Sequence, residues 1–125
     1  MNKTITAQNA PAAVGPYCHA KLAGNLLFTS GQLGLVPATG TLAEGGIEAQ
    51  ARQALENIGA VLKEAGMDYA DVAKTTCFLA DIQDFAAFNG VYAQFFKGEV
   101  PARSCFQVAA LPLGALVEIE CVAVK

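Results

Sequence analysis

Arg103 stands in the stretch PARSC, between apolar neighbours, in a segment that reads as a strand. Arginine is rarely buried without a partner, and its planar fork matches a carboxylate through two parallel hydrogen bonds. It reads either as a salt-bridged or edge-strand residue or as the anchor of an anionic ligand. Cys105 lies two residues on and shares its side of the strand. It reads as a small core residue or as a thiol beside that anchor. Glu118 and Glu120 alternate with Val117, Ile119 and Cys121, so both acids share one face of the last strand. That face is either exposed or lines a cleft in which one acid serves as general base. Tyr17 follows Gly15-Pro16, and Ser30-Gly31 closes a strand; both fit ordinary turn chemistry. Asn89, a mediocre helix former inside a helical stretch, fits a bond to nearby backbone. The single histidine, His19, reads as a strand surface residue. A P-loop, a dinucleotide fingerprint, GxSxG and a metal-ligand spacing are all missing.

These residues need elements to position them. Residues 4–6 fit a short strand and Asn9–Pro16 a loop. Tyr17–Leu22 and Leu26–Ser30 read as a hairpin about Gly24-Asn25. Gly31 to Gly46 reads as a long loop, of a length that usually carries function. Ile47, Ala51, Ala54, Leu55, Ile58, Val61, Leu62 and Ala65 recur at helical spacing, and Gly66 marks the helix end. Val72–Leu79 reads as a buried strand. Asp81 or Asp84 can cap a second helix that carries Phe85, Phe88, Val91, Tyr92, Phe95 and Phe96 on one face, with Gly98 after it. Ala102–Ala109 and Leu116–Val124 read as two strands of a closing hairpin. In that hairpin Arg103 and Glu118 stand about 17 Å apart, too far to share a small ligand within one subunit. The two helices cover one face of a six-stranded sheet, so the other face calls for burial elsewhere.

Composition agrees. With 125 residues the chain is expected to form one domain, residues 1–125. Hydrophobic residues make up 54% and charged residues 15%, too few charges to cover the surface, which points to a homo-oligomer. A net charge of −3 without a basic run excludes a dedicated nucleic-acid partner. With no signal-like segment and no apolar run long enough to span a membrane, a cytoplasmic location is expected. The four cysteines, without a CxxC pair, read as buried reduced thiols.

The segments carrying these residues resemble the RidA/YjgF family, the reactive intermediate deaminases. They are AAVGPYCHA (12–20), LLFTSGQLGL (26–35), EAQARQALENIGAVLKEAG (48–66), VAKTTCFLADIQDFAAFNGVYAQFF (72–96), PARSCFQVAALP (101–112) and VEIECVAV (117–124). The resemblance spans essentially the whole chain. It implies a chorismate-mutase-like α+β fold and a homotrimer with clefts between subunits. The implied activity is cofactor-independent hydrolysis of 2-aminoacrylate, 2-aminocrotonate and their imines, released by pyridoxal-phosphate dehydratases, to 2-keto acids and ammonia. By the same resemblance Arg103 clamps the substrate carboxylate and Glu118 positions or activates water. Tyr17 covers the ligand, Ser30 and Gly31 contact it, Asn89 lies near the site, and Cys105 is a thiol that catalysis need not use. Metal and organic cofactors are not implied. His19, the short link between Phe96 and Pro101, and the apolar turn Leu113-Gly114-Ala115 depart from the usual pattern. The alternatives are a non-enzymatic trimer that binds small carboxylates and a stress-activated chaperone-like protein.

Overall fold

The computed structural model describes all 125 residues, Met1–Lys125. The chain folds as β1 (Lys3–Ile5), β2 (Ala20–Ala23), β3 (Leu26–Thr29), β4 (Gln32–Leu33), β5 (Leu35–Val36), β6 (Thr41–Leu42), α1 (Gly46–Glu64), β7 (Val72–Leu79), α2 (Phe85–Phe95), β8 (Ala102–Gln107) and β9 (Val117–Val124). This is the α+β arrangement expected, a mixed sheet with two helices on one face.

Helix α1 forms because its apolar residues recur on one stripe, and Ala51, Ala54, Leu55, Ile58, Val61 and Leu62 are completely buried. It ends where Gly66 takes a left-handed backbone (φ 75°) and the Met67 N–H reaches back to the Leu62 carbonyl at 2.9 Å. Before α2, the Asp81 side chain accepts the Gln83 N–H at 2.9 Å and so caps the entry; Asp84 makes no side-chain cap. Phe88, Val91 and Tyr92 then bury the inner face of α2.

The sheet departs from expectation in its count and its order. It has seven strands, in the order β1-β2-β3-β9-β7-β8, with β4 also paired to β9. The extra strand comes from the long Gly31–Gly46 segment. Asn57 on α1 donates to the carbonyls of Leu33 and Leu35 at 3.0 and 2.9 Å, which pins the start of that segment against the helix. The expected closing hairpin does not form. β7 lies between β8 and β9, parallel to β8 and antiparallel to β9. Parallel neighbours need a crossover connection, and α2 supplies it. The 108–116 connection passes the end of β7 instead of turning, held by Val108 N–H to Leu79 O and Ala80 N–H to Leu116 O. Another expected strand shortens: Tyr17–Leu22 becomes Ala20–Ala23, because residues 17–19 are held by side-chain bonds more than by the ladder.

Alternation sorts the residues of β9. Val117, Ile119, Cys121 and Ala123 point under the helices and are buried, while Glu118, Glu120, Val122 and Val124 face the other way. On that open face, Leu26, Phe28, Phe106 and Val124 are exposed.

Two glycines give tests of opposite sign. A methyl group on Gly34 would strike the backbone carbonyl of Gln50 and come within 2.7 Å of its Cα. G34A must push α1 from the β4 segment and should cost about 2 kcal/mol in urea unfolding. Gly90 in α2 faces open space, so G90A should stabilise by about 1 kcal/mol. An unchanged unfolding midpoint for G34A would refute the close packing.

Candidate functional site

A cleft of about 430 Å³ opens beside β9, lined by Pro11, Ala12, Val14, Tyr17, His19, Ser30, Gly31, Gln32, Leu33, Leu35, Pro112, Leu113 and Glu118. It brings together four of the residues singled out from the sequence: Tyr17, Ser30, Gly31 and Glu118.

Glu118 is placed by register. It sits opposite Leu33 of β4 and Phe78 of β7. Its carboxylate lies directly against the α-carbon of Gly31, where a methyl group would collide with it. Glycine is therefore required at 31 for close approach, and the turn reading understated its part. Burial raises the Glu118 pKa above the ordinary carboxylate value, and the neighbouring Glu120 raises it further. An acid that holds its proton closer to neutrality is better suited to passing protons to and from a substrate.

The facing wall is a strap, residues 9–16, held by side chains of the next segment. His19 is buried, not on the surface as expected. Its Nδ1 accepts the Ala7 N–H at 2.9 Å and its Nε2–H donates to the Pro11 carbonyl at 2.7 Å. This pattern fixes the neutral tautomer. The Ser30 hydroxyl donates to the Cys18 carbonyl at 2.6 Å, tying the end of β3 to the strap side. Tyr17 projects from this wall, about half exposed, and its hydroxyl accepts the Val14 N–H at 3.4 Å.

Arg103, Asn89 and Cys105 lie elsewhere. Arg103 is on β8, in register with Thr75, which is in register with Cys121. Two strand spacings and three residues along the sheet put Arg103 and Glu118 about 14 Å apart. The two also face opposite sides of the sheet. Arg103 turns toward α2, where its guanidinium donates to the Asn89 carboxamide oxygen at 2.8 Å. It stands 4.7, 5.5 and 5.8 Å from the ring centres of Tyr92, Phe85 and Phe88. All of these partners are neutral, so the arginine keeps unused donors and an uncompensated charge. Cys105 is half-buried beside it; burial raises its thiol pKa, and the Arg103 charge only partly opposes this. The expectation of four buried thiols holds for Cys77 and Cys121, whereas Cys18 and Cys105 are half-exposed.

Three amides were missed in the sequence. Gln50 accepts the Leu116 N–H at 2.9 Å and so fixes the entry into β9. Asn57, buried on α1, holds β4 and β5. Gln32 is buried in the cleft wall. For Gln50 and Asn57 the available signal was a polar amide inside the apolar stripe of α1. No group of three His, Cys, Asp or Glu side chains comes together that could hold a metal ion.

The raised protonation of Glu118 has a stability consequence. A carboxyl group that binds its proton more tightly when folded contributes stability that is present at acid pH and lost as the pH rises through the raised value. E118Q imitates the protonated form at every pH. Its thermal midpoint at pH 7 should match or exceed that of the parent, with the difference vanishing toward about pH 4. Scanning calorimetry at both values tests this; a lower midpoint at pH 7 would contradict the burial argument.

A sequence profile for the family described as Endoribonuclease L-PSP matches residues 7–125. The chain is 51% identical to the 2-iminobutanoate/2-iminopropanoate deaminase of Capra hircus over 125 residues, covering all of this chain and 91% of that protein. Among solved structures it is similar to RidA from Psychrobacter sp., with a TM-score of 0.95 and 46% identity over 98% of this chain and 99% of the other. It is also similar to E. coli TdcF with bound serine, with a TM-score of 0.94 and 44% identity over 98% of each chain. The chain belongs to the Endoribonuclease L-PSP family, which includes the RidA/YjgF proteins.

Proposed function

We propose that residues 1–125 form one catalytic domain that hydrolyses short 2-imino acids and their enamine tautomers to 2-keto acids and ammonia. The observation that carries this reading is that the chain holds both an arginine without a carboxylate partner, Arg103, and a half-buried carboxyl group at the cleft, Glu118. Arg103 offers its free fork to the substrate carboxylate, with Asn89 orienting the guanidinium. Glu118 takes a proton from water as the water oxygen bonds to the imine carbon. The proton passes to nitrogen and gives the carbinolamine; its hydroxyl proton then moves through Glu118 to the amino group, the carbon–nitrogen bond breaks as the carbon–oxygen double bond forms, and ammonia leaves. Imines are already electrophilic, so orientation and one proton carrier suffice. Tyr17, Ser30 and Gly31 enclose the substrate, and Cys105 takes no part.

Arg103 and Glu118 cannot meet on one substrate within a single chain. We therefore propose that the active assembly is a homotrimer in which β8 of one subunit brings Arg103 to the cleft of the next. The exposed Leu26, Phe28, Phe106 and Val124 on the open sheet face supply apolar surface for that association. The negative charge of the chain disfavours a nuclease, whatever the family's description. A binding-only role has one observation in its favour, the serine bound to E. coli TdcF.

The decisive assay generates the enamine in situ with a pyridoxal-phosphate serine or threonine dehydratase and follows keto-acid release. The protein should accelerate release, and R103A and E118Q should each remove at least about 100-fold of that acceleration. Retained acceleration in E118Q would refute Glu118 as the proton carrier, and no acceleration by the wild-type protein would leave the binding-only reading. Mixing the two inactive variants with subunit exchange should restore roughly a quarter of the activity, because a half of the arginines meets a half of the glutamates. No recovery after verified exchange would refute the shared site.

A further inference from the structure

Leu113 is the one residue other than glycine whose backbone is left-handed, at φ 61° and ψ 17°. In that conformation a Cβ crowds the following carbonyl, and glycine would hold it without the clash. Core packing does not compensate for this, since Leu113 is 68% exposed. Its side chain stands at the rim of the cleft together with Val14, Leu33, Leu35 and Pro112. A strained backbone that presents an exposed leucine to a cleft suggests a function located in the cleft.

We propose that Leu113 is a specificity-determining residue that takes the aliphatic side chain of the 2-imino acid. The proposal rests on the deaminase reading and adds a substrate preference to it. With the carboxylate at Arg103 and the imine carbon at Glu118, the substituent on that carbon is the part of the substrate left to meet the remaining walls. Those walls are apolar at Val14, Leu33, Leu35 and Leu113. The preferred class is 2-imino acids with a branched or unbranched aliphatic side chain. A side chain ending in a carboxylate is disfavoured, because it would lose water against this wall and lie near Glu118.

A flavin L-amino-acid oxidase supplies the test substrates. With O2 it converts leucine or alanine to the 2-imino acid and H2O2, and catalase removes the peroxide. The reaction followed is R–C(=NH)–COO⁻ + H2O → R–C(=O)–COO⁻ + NH3. Wild-type protein should favour the leucine-derived imine in kcat/KM. L113G should reduce that preference about tenfold, mainly through the KM of the leucine-derived imine. The same variant should melt at a higher temperature, since glycine relieves the backbone. L113K keeps the left-handed residue, replaces the apolar tip with a charge, and should reduce the preference similarly. Acceleration with an unchanged leucine-to-alanine ratio in both variants overturns the role of Leu113 alone. No acceleration of either imine by the wild-type protein overturns the deaminase reading, and this proposal with it.

Discussion

The alternation of β9 is the constraint from which the site follows. Val117, Ile119, Cys121 and Ala123 must lie under α1 and α2 to complete the core, and all four are at most 4% exposed. Successive side chains of a strand point to opposite faces, so Glu118 and Glu120 are forced onto the open side. A slip of one residue would bury two carboxylates and expose the core set. The register is therefore defended, and α1 fixes it from one end. Gln50 binds the Leu116 N–H where β9 begins, and Asn57 holds the β4–β5 segment that pairs with β9 at Glu118. The helix that shapes the core thus also sets the position of the acid.

The same sheet separates the two charged residues that the chemistry would need. β7 lies between β8 and β9, so Arg103 and Glu118 stand two strands apart and on opposite faces. Arg103 is stabilised where it is by three aromatic rings and a neutral amide. Contacts of this type hold and orient a guanidinium, worth about 1 kcal/mol each, without neutralising its charge. A carboxylate would complete the set, and none comes from the chain's own contacts to it. Neither charged group finds an opposite charge on its own chain.

Much of this was legible in the sequence. The stripe of α1, the aromatic face of α2 and the alternation of β9 follow from period alone, because each element buries one face. Order within the sheet was not legible. A hairpin and a crossover leave similar patterns in β8 and β9, and only the intervening α2, packed beside α1, commits β7 to the middle. His19 was misread for a related reason. Its burial depends on two backbone groups, of Ala7 and Pro11, that become neighbours only once the strap has folded back. Arg103 and Glu118 stood out because a charge within an apolar strand is unusual, whereas Tyr17, Ser30, Gly31, Asn89 and Cys105 also fit ordinary structural positions and were assigned to a site only by the resemblance. Gln50 and Asn57 were overlooked because helical amides are common and their acceptors and donors lie in distant segments.

The local costs in this fold are concentrated at one place. Glu118 is partly buried beside a second acid, which raises its pKa. Gly31 gives up a side chain so that the carboxylate can lie against its backbone. Leu113 holds a left-handed conformation and leaves an apolar side chain in solvent. Each arrangement has a cheaper neighbour: a glutamine, an alanine with the acid withdrawn, a glycine. Elsewhere sequence and structure agree, with a sealed core, a glycine terminating α1, and no buried side-chain polar atom left without a partner. A chain that satisfies its rules everywhere else and relaxes three of them around a single cleft marks that cleft as the region shaped by a requirement other than folding.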